Sequence, residues 1–482
     1  MYFIVRSFYC TKELYATSLP ARVSHNRDLA MTASALRLQL AQIEAQIALL
    51  QSERHRLLED LDKVAYPVTN LPNEISSYIF RHIIPEIRLS HGDEGENGGD
   101  ADDDGRRYHQ LLRLAGVCRK WRNMVLSTCA LWNSMALCCD VVSDPINVLE
   151  AWLPRAGRLP LDVAIRVPPD HYSSIISVLC RYSSQWRHVH IVTTTSTWSA
   201  TLPIERFPTE LPLLETLMLS GFHLSESAVE TSVRNAPGLH KLSLHTASEA
   251  IRTRLPLHLL TTLQFGTLTA AELLEVLAYT PTLEHLRVET SAEAEITVLP
   301  SLTLPCLHTF ESNHNLSMLI LQYLTLPTLT HVKLDSFYQT GVEALQACIS
   351  RSGSTIRTLK LVHGNFRVAH SCFTALPTLT HVTLVHPQCF PPDMEAFCTA
   401  MESSGYLPKL ESLAYEGCSS DLAIHFVNAI TARYHGVEGT TKLTAVKVSF
   451  EEPVSEFTQA LVELRYLGRQ GLQLDMKNPA DI

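Results

Sequence analysis

A short pattern, L-x-x-L-x-L, recurs down the C-terminal part of this chain, and a chain that repeats itself at short intervals has few ways to fold. It reads Leu214–Leu217–Leu219, Leu239–Leu242–Leu244, Leu260–Leu263–Phe265, Leu283–Leu286–Val288 and Leu307–Phe310–Ser312. It goes on through Leu329–Val332–Leu334, Ile356–Leu359–Leu361, Leu379–Val382–Leu384, Leu410–Leu413–Tyr415 and Leu443–Val446–Val448. First positions are separated by 25, 21, 23, 24, 22, 27, 23, 31 and 33 residues, a spacing that fits one strand and one helix per unit. Helix-like segments fill the gaps: Ala270–Tyr279, Gly341–Arg351, Asp393–Ser404, Asp421–Tyr434 and Glu456–Leu467. Such a unit cannot bury its apolar face alone. Stacking about ten of them gives a continuous core and a curved solenoid. Pro212, Pro237, Pro281, Pro305, Pro327, Pro377 and Pro408 stand where repeats begin, and a fixed φ there sets the turn from helix to strand.

Along each strand the leucines point inward and the residues between them point to the other face. That face gathers Lys241, His245, His285, Arg287, Glu289, Glu311, His331, Lys333, Asp335, Lys360, His381, Glu416 and Lys447. Two readings fit: a solvated strand face, or a surface that binds a protein partner, as the concave sides of solenoids do. His285, His331 and His381 share one slot of the repeat, but Thr309 and Thr358 occupy the slots between them. No metal site is expected from histidines so separated.

The stretch Leu71–Trp132 has a different logic. Asn70 can cap a helix whose first turn holds Pro72 and Glu74. Leu71, Ile75, Ile79 and Ile83 then form one stripe, and Phe80 and Ile84 a second. A surface helix needs one apolar stripe, so this one is covered on both sides. Either its own fold or a separate protein supplies the second cover. Leu111, Leu114, Cys118, Trp121 and Val125 follow helical spacing in the second half, which closes on Leu131-Trp132.

Upstream, residues 34–66 read as one long helix. Leu36, Ile43, Leu50, Leu57 and Val64 repeat every seven residues; Leu40, Ile47 and Leu61 fill the offset of four, and Arg54 breaks that second row. A parallel homodimer through 36–64, packing on the helices that follow, and a free strut all satisfy that pattern. Residues 1–33 fit no later element. They are Arg-bearing, but Glu13 and Asp28 argue against a mitochondrial leader. The expectation is a disordered or non-native segment, with Met31 as the start. Within 67–136, residues 90–107 carry seven acids and two arginines, half of the net charge of −10. They read as a disordered acidic insert. Asp100 to Gly105 imitates the start of a calcium loop, but Leu111 stands where the bidentate Glu belongs. Residues 137–200 read as a transition that caps the solenoid, with a short helix near Leu149–Leu153, a strand at Leu159–Val167 and a helix at Ser173–Arg181. The repeats are assigned to 201–470 and a tail to 471–482.

Composition narrows the function. At 482 residues there is room for more than one domain, and a net charge of −10 disfavours a general nucleic-acid or anionic-membrane binder. Twelve cysteines without framework spacing suit free thiols in a reducing compartment, cytosol or nucleus. No apolar run reaches the roughly 20 residues of a membrane span. No phosphate-cradling, nucleophile-elbow or metal-ligand motif stands in a usable context. The expectation is neither an enzyme nor a cofactor binder.

The order L-P-x-E-I, then V-C-R-x-W, then L-W resembles the F-box. The succession of helix, F-box and repeats is similar to fungal F-box proteins with C-terminal leucine-rich repeats. The repeats depart from that family where Asn or Cys is usual, three residues after the last leucine. Phe222, Ala247, Phe337 and Gly364 stand there, and Cys418 conforms. The resemblance implies an α/β-repeat fold behind an all-α module. It also implies the substrate-recognition subunit of a Skp–cullin–F-box ubiquitin ligase, joined to the cullin through a Skp-type adaptor. By matching positions, Leu71, Pro72, Ile75, Ile79, Phe80, Val117, Cys118, Trp121, Leu131 and Trp132 contact the adaptor or form the module core. The rival reading is a non-ligase scaffold that uses the repeats and the heptad helix.

Overall fold

The computed structural model describes residues 33–63, 71–84, 101–139, 142, 144–168, 171–193, 200–201, 210–220, 222–223, 236–246, 256–291, 299–418, 420–450 and 459–477. Two compact units emerge: residues 1–86, 105–132 and 147–157, and residues 87–104, 133–146 and 158–482. The expectations for residues 1–32 and for 90–100 lie outside the described residues.

The second unit is built on one fourteen-stranded sheet in which every pairing is parallel. Its strands are β1 (Ser134–Cys138), β2 (Leu161–Val167), β3 (Trp186–Thr193), β4 (Thr216–Ser220), β5 (Lys241–Thr246), β6 (Thr262–Leu268) and β7 (His285–Ser291). Then come β8 (Thr309–Ser312), β9 (His331–Asp335), β10 (Thr358–Val362), β11 (His381–Val385), β12 (Ser412–Cys418), β13 (Ala445–Phe450) and β14 (Gln473–Lys477). Spatial order is sequence order, so each strand pairs with the one before and the one after.

All ten L-x-x-L-x-L segments supply strands. The sheet also corrects two boundaries. It starts at Ser134, so β2 and β3 fall in what read as a transition and β1 straddles its start, and it ends in Gln473–Lys477, which read as a tail. Burial in β2 alternates strictly, while β14 alternates only between half-buried and exposed. An edge strand with one neighbour and polar residues leaves a weak pattern.

The leucines of the repeat form the core. Leu217, Leu242, Leu263, Leu283, Leu359, Leu361, Leu384 and Leu413 have no accessible surface. Each buried leucine contributes about 1.5–3 kcal/mol relative to exposure. Helices cover this side. Tyr415 on β12 meets Phe366, which lies in a helix spanning Phe366–Ala375, and Phe426, in a helix spanning Ser420–His435. The other expected helices appear as Ala270–Leu277, Gln339–Ser352, Pro391–Met401 and Gln459–Arg469. Phe366–Ala375 is an addition to that set. Asn365 caps it by accepting a hydrogen bond from the Arg367 amide, and Phe366, Ala369, Cys372 and Phe373 form its buried stripe.

The repeat-start prolines do what their fixed φ suggests. Leu214, Leu239, Leu283, Leu329, Leu379 and Leu410 donate backbone hydrogen bonds to the residue three before them, with proline second in each turn. Threonines then tie repeats together. Thr282, Thr328 and Thr378 donate through Oγ1 to carbonyls of the preceding unit, those of Leu260, Leu307 and Ile356. Arg433, fully buried, donates to the carbonyls of Tyr406 and Leu407 at the turn before β12.

The first unit is helical: α1 (Ala33–Lys63), α2 (Asn73–Ile83), α3 (Ala101–Val117) and α4 (Arg119–Ser127), together with 147–157. Residues 101–107 are helical rather than disordered, which also removes the loop that a calcium site would need. Leu111 and Leu114 are buried further along this helix.

One position in the sheet unit tolerates no side chain. A Cβ at Gly364 meets the Phe337 ring at 2.2–2.4 Å, and Phe337 is fully buried. Gly364→Ala is expected to destabilise the chain by about 1–3 kcal/mol in denaturant titration. Combined with Phe337→Leu, it is expected to cost less than the sum of the single variants, because both changes act on the same space.

Candidate functional site

The helical unit places its two apolar stripes differently. Phe80 and Ile84 are buried at 1% and 2% exposure, joined by Ser76. Ile75 and Ile83 lie outside, 48% and 51% exposed, and Ile79 is half-buried between them. Packing explains the inner stripe. The Phe80 ring meets Trp121 edge-on at 4.8 Å, and Ser77 Oγ lies 3.1 Å from Thr128 Oγ1. Cys118 caps α4, its Sγ accepting from the Trp121 amide, while Lys120 Nζ donates to the Leu71 carbonyl.

The sequence-assigned residues thus separate into three groups by burial. Phe80, Leu131 and Trp132 are core and cannot meet a partner directly; Leu71, Ile79, Cys118 and Trp121 are half-buried. Pro72, Ile75 and Val117 are exposed, Val117 by 62%. Ile83, the last member of the Ile75 stripe, joins them, as do two exposed residues outside it, Tyr78 and Leu126. Tyr78 packs its ring edge-on against His82 at 4.4 Å. Its signal was present in the run Tyr78-Ile79-Phe80, where every residue is apolar.

Segment 147–157 belongs to this unit because of Trp152. Its ring lies 4.7 Å from that of Trp132, and its Nε1 donates to the Trp132 carbonyl at 2.7 Å. Trp132 Nε1 in turn donates to the Val125 carbonyl at 2.7 Å, and the Arg155 guanidinium sits 5.2 Å from the Trp132 ring centroid. Both buried indoles therefore have acceptors, as burial requires.

In the sheet unit, register decides which polar residues meet. One row across the strands reads Thr216, Lys241, Thr262, His285, Thr309, His331, Thr358, His381, Ser412. The three histidines are each one threonine-bearing strand apart. Partial loss of solvent around the otherwise exposed His331 lowers its pKa, and the charges of His285, His308, His381 and Arg357 add to the effect. The next row reads Ser243, Gln264, Arg287, Glu311, Lys333, Lys360, Thr383, Ala414, Lys447.

Arg287 is only 7% exposed, with Glu289 at 3.7 Å and Glu311 at 3.5 Å. It is a built-in part of the sheet rather than the solvent-facing residue its alternation suggested. Gln264 Nε2 donates to Glu289 at 2.6 Å and extends the cluster. A cleft of about 310 Å³ opens here, lined by Lys241, Thr262, Gln264, His285, Arg287, Thr309 and Glu311 among others. Two strands on, Lys333 and Lys360 are register partners, so two ammonium groups share one patch. Burial, then the Lys360 charge, pushes the Lys333 pKa down to about 8 despite Asp335 nearby. At the far end burial opposes ionisation of Glu416, but its hydrogen bond with Lys447 and the charges of Lys447, Lys360 and Lys477 outweigh it and leave the pKa lowered. His331 and His381 are exposed, and Asp335 half-buried; the side chain of His245 lies outside the described residues. Among the described residues no group of three or more His, Cys, Asp or Glu could hold a metal ion.

Known proteins add one firm likeness. No curated protein matches this chain. A crystal structure of a Bacteroides fragilis protein aligns over 71% of this chain and 73% of its own, at 12% identity and a TM-score of 0.28, a likeness too slight to carry an argument. Residues 68–138, the segment whose helices hold one apolar stripe inside and one outside, match the F-box-like family, which supports an F-box protein.

Proposed function

We propose that this chain is the substrate-recognition subunit of a Skp–cullin–F-box ubiquitin ligase. The observation that carries this reading is the exposed apolar stripe of α2, within the segment that matches the F-box-like family. A Skp-type adaptor covers Pro72, Ile75 and Ile83, with Tyr78, Val117 and Leu126 as further contacts. The strand–helix units act as leucine-rich repeats that hold a protein substrate against the polar rows of the sheet. Ubiquitin transfer belongs to other subunits, and this chain itself catalyses nothing. The eleven described cysteines are all free thiols, which suits the cytosol or nucleus.

The paired ammonium groups of Lys333 and Lys360 give the substrate face a chemical preference. Like charges held side by side favour an acidic segment, which relieves their repulsion. Lys333 carries its charge below about pH 8 and loses it above.

Adaptor capture by the full chain tests the docking role. Ile75→Asp with Ile83→Asp is expected to weaken capture at least 100-fold while leaving the thermal midpoint nearly unchanged, since both side chains are half-exposed already. Phe80→Ala is expected to lower stability by about 3–5 kcal/mol instead. A wild-type chain that captures no adaptor sinks the ligase reading.

The Lys333 titration can be followed by NMR after isotopic methylation of the lysines. A value near 8 is expected, rising when Lys360→Met removes the neighbouring charge. The sign for stability follows from linkage. Between about pH 8 and the ordinary lysine value of about 10.4, the unfolded chain holds a proton that the folded chain has released. The cost of holding charged Lys333 in the fold is therefore relieved as pH rises through that window, and stability rises with it.

A further inference from the structure

Every side chain of α1 from Leu38 to Asp60 is exposed. Among them are Leu40, Ile43, Ile47, Leu50 and Leu57, between 49% and 62% exposed and spaced on one seam. Neither the adaptor nor the substrate face uses this seam. In heptad terms Leu40, Ile47 and Arg54 are a positions, and Ile43, Leu50 and Leu57 are d positions.

The sequence of the seam selects its occupant. In a parallel pair, a faces a and d faces d. Arg54 would then meet the same arginine of the other chain. Leu40 at a with Ile43 at d disfavours a parallel dimer while Ile47 at a with Leu50 at d suits one, so the arginine layer decides. In an antiparallel pair, a faces d. Leu40 then meets Leu57, Ile47 meets Leu50, and Arg54 meets Ile43, each layer occurring twice. All six positions are consumed and none is left over. The knob formed by Arg54 also enters a hole that includes Glu44, the residue beside Ile43. Neither charge has an opposite charge three or four residues away on its own helix: Leu50, Gln51, Leu57 and Leu58 flank Arg54, and Leu40, Ala41, Ile47 and Ala48 flank Glu44. Described ion pairs on this helix are His55–Glu59 and Arg56–Asp60, which lie off the seam.

We propose that α1 binds a second copy of this chain as an antiparallel two-helix coiled coil, with Arg54 of each copy paired to Glu44 of the other. The helix of 31 residues spans about 46 Å, and a contact strip about 10 Å wide covers roughly 900 Å² over both copies. That lies at the low end for specific interfaces, so the dimer dissociates on dilution.

The test uses the full chain in sedimentation equilibrium. A dimer at about 50 μM that dissociates at submicromolar concentration is expected. Ile47→Asp with Leu50→Asp is expected to give a monomer whose sheet unit melts as in the wild type. Arg54→Glu and Glu44→Arg are each expected to weaken association about five- to tenfold, and together to restore it to within about twofold. A wild-type chain that stays monomeric at 50 μM overturns the proposal. Association that survives Glu44→Arg unchanged, or that the double variant does not restore, overturns the antiparallel pairing, because a parallel pair sets Glu44 beside the neutral Gln39.

Discussion

A single strand–helix unit of this chain has nowhere to put its leucines. The residues at L-x-x-L-x-L positions vanish from solvent only because the next strand lies parallel and in register, with helices on the same side. That constraint governs the rest of the sheet unit. It sets the prolines at the turns, where a fixed φ starts each strand at the same place. It places the threonines whose hydroxyls reach back to carbonyls one repeat earlier. It also forces residues 22 to 27 positions apart in sequence to become neighbours at the strand spacing of about 4.8 Å. Lys333 beside Lys360, and Arg287 beside Glu311, are consequences of register, not of local sequence.

The same economy operates in the helical unit with the opposite result. There α2 carries more apolar surface than its own unit can cover. Phe80 and Ile84 go inward, Phe80 against Trp121, and Ile75 and Ile83 remain outside. Polar cross-ties such as Trp132 to Val125 and Trp152 to Trp132 hold the inner half in place. What is left over is the surface on which the proposed docking rests. A buried stripe costs stability when changed, and an exposed one costs binding, so the two are separable by measurement.

Much of the architecture was legible in residue patterns. Period and alternation predicted the ten strands from Thr216 to Phe450, and apolar spacing found most helices. The misses have physical reasons. Gln473–Lys477 is an edge strand, and Phe366–Ala375 is a helix of mostly weak helix formers, Phe, Val, His, Ser, Cys and Thr, held by an Asn365 cap and its buried face. Residues 101–107 looked too charged to order, yet they extend a helix anchored further on by Leu111 and Leu114. Arg287 alternates like a surface residue and is nonetheless buried, because neighbouring acids compensate its charge.

Periodicity is a one-dimensional property, and it determined what one dimension can hold: which residues are apolar, at which spacing, and therefore strands, helices, the heptad seam and the doubled stripe of α2. Tertiary structure decided which of two equivalent stripes turns inward, which strands carry a shared polar row, and that Trp152 belongs with Trp132 twenty residues earlier. Those outcomes depend on which surfaces meet across the fold, and a pattern along the chain does not contain the identity of the facing element.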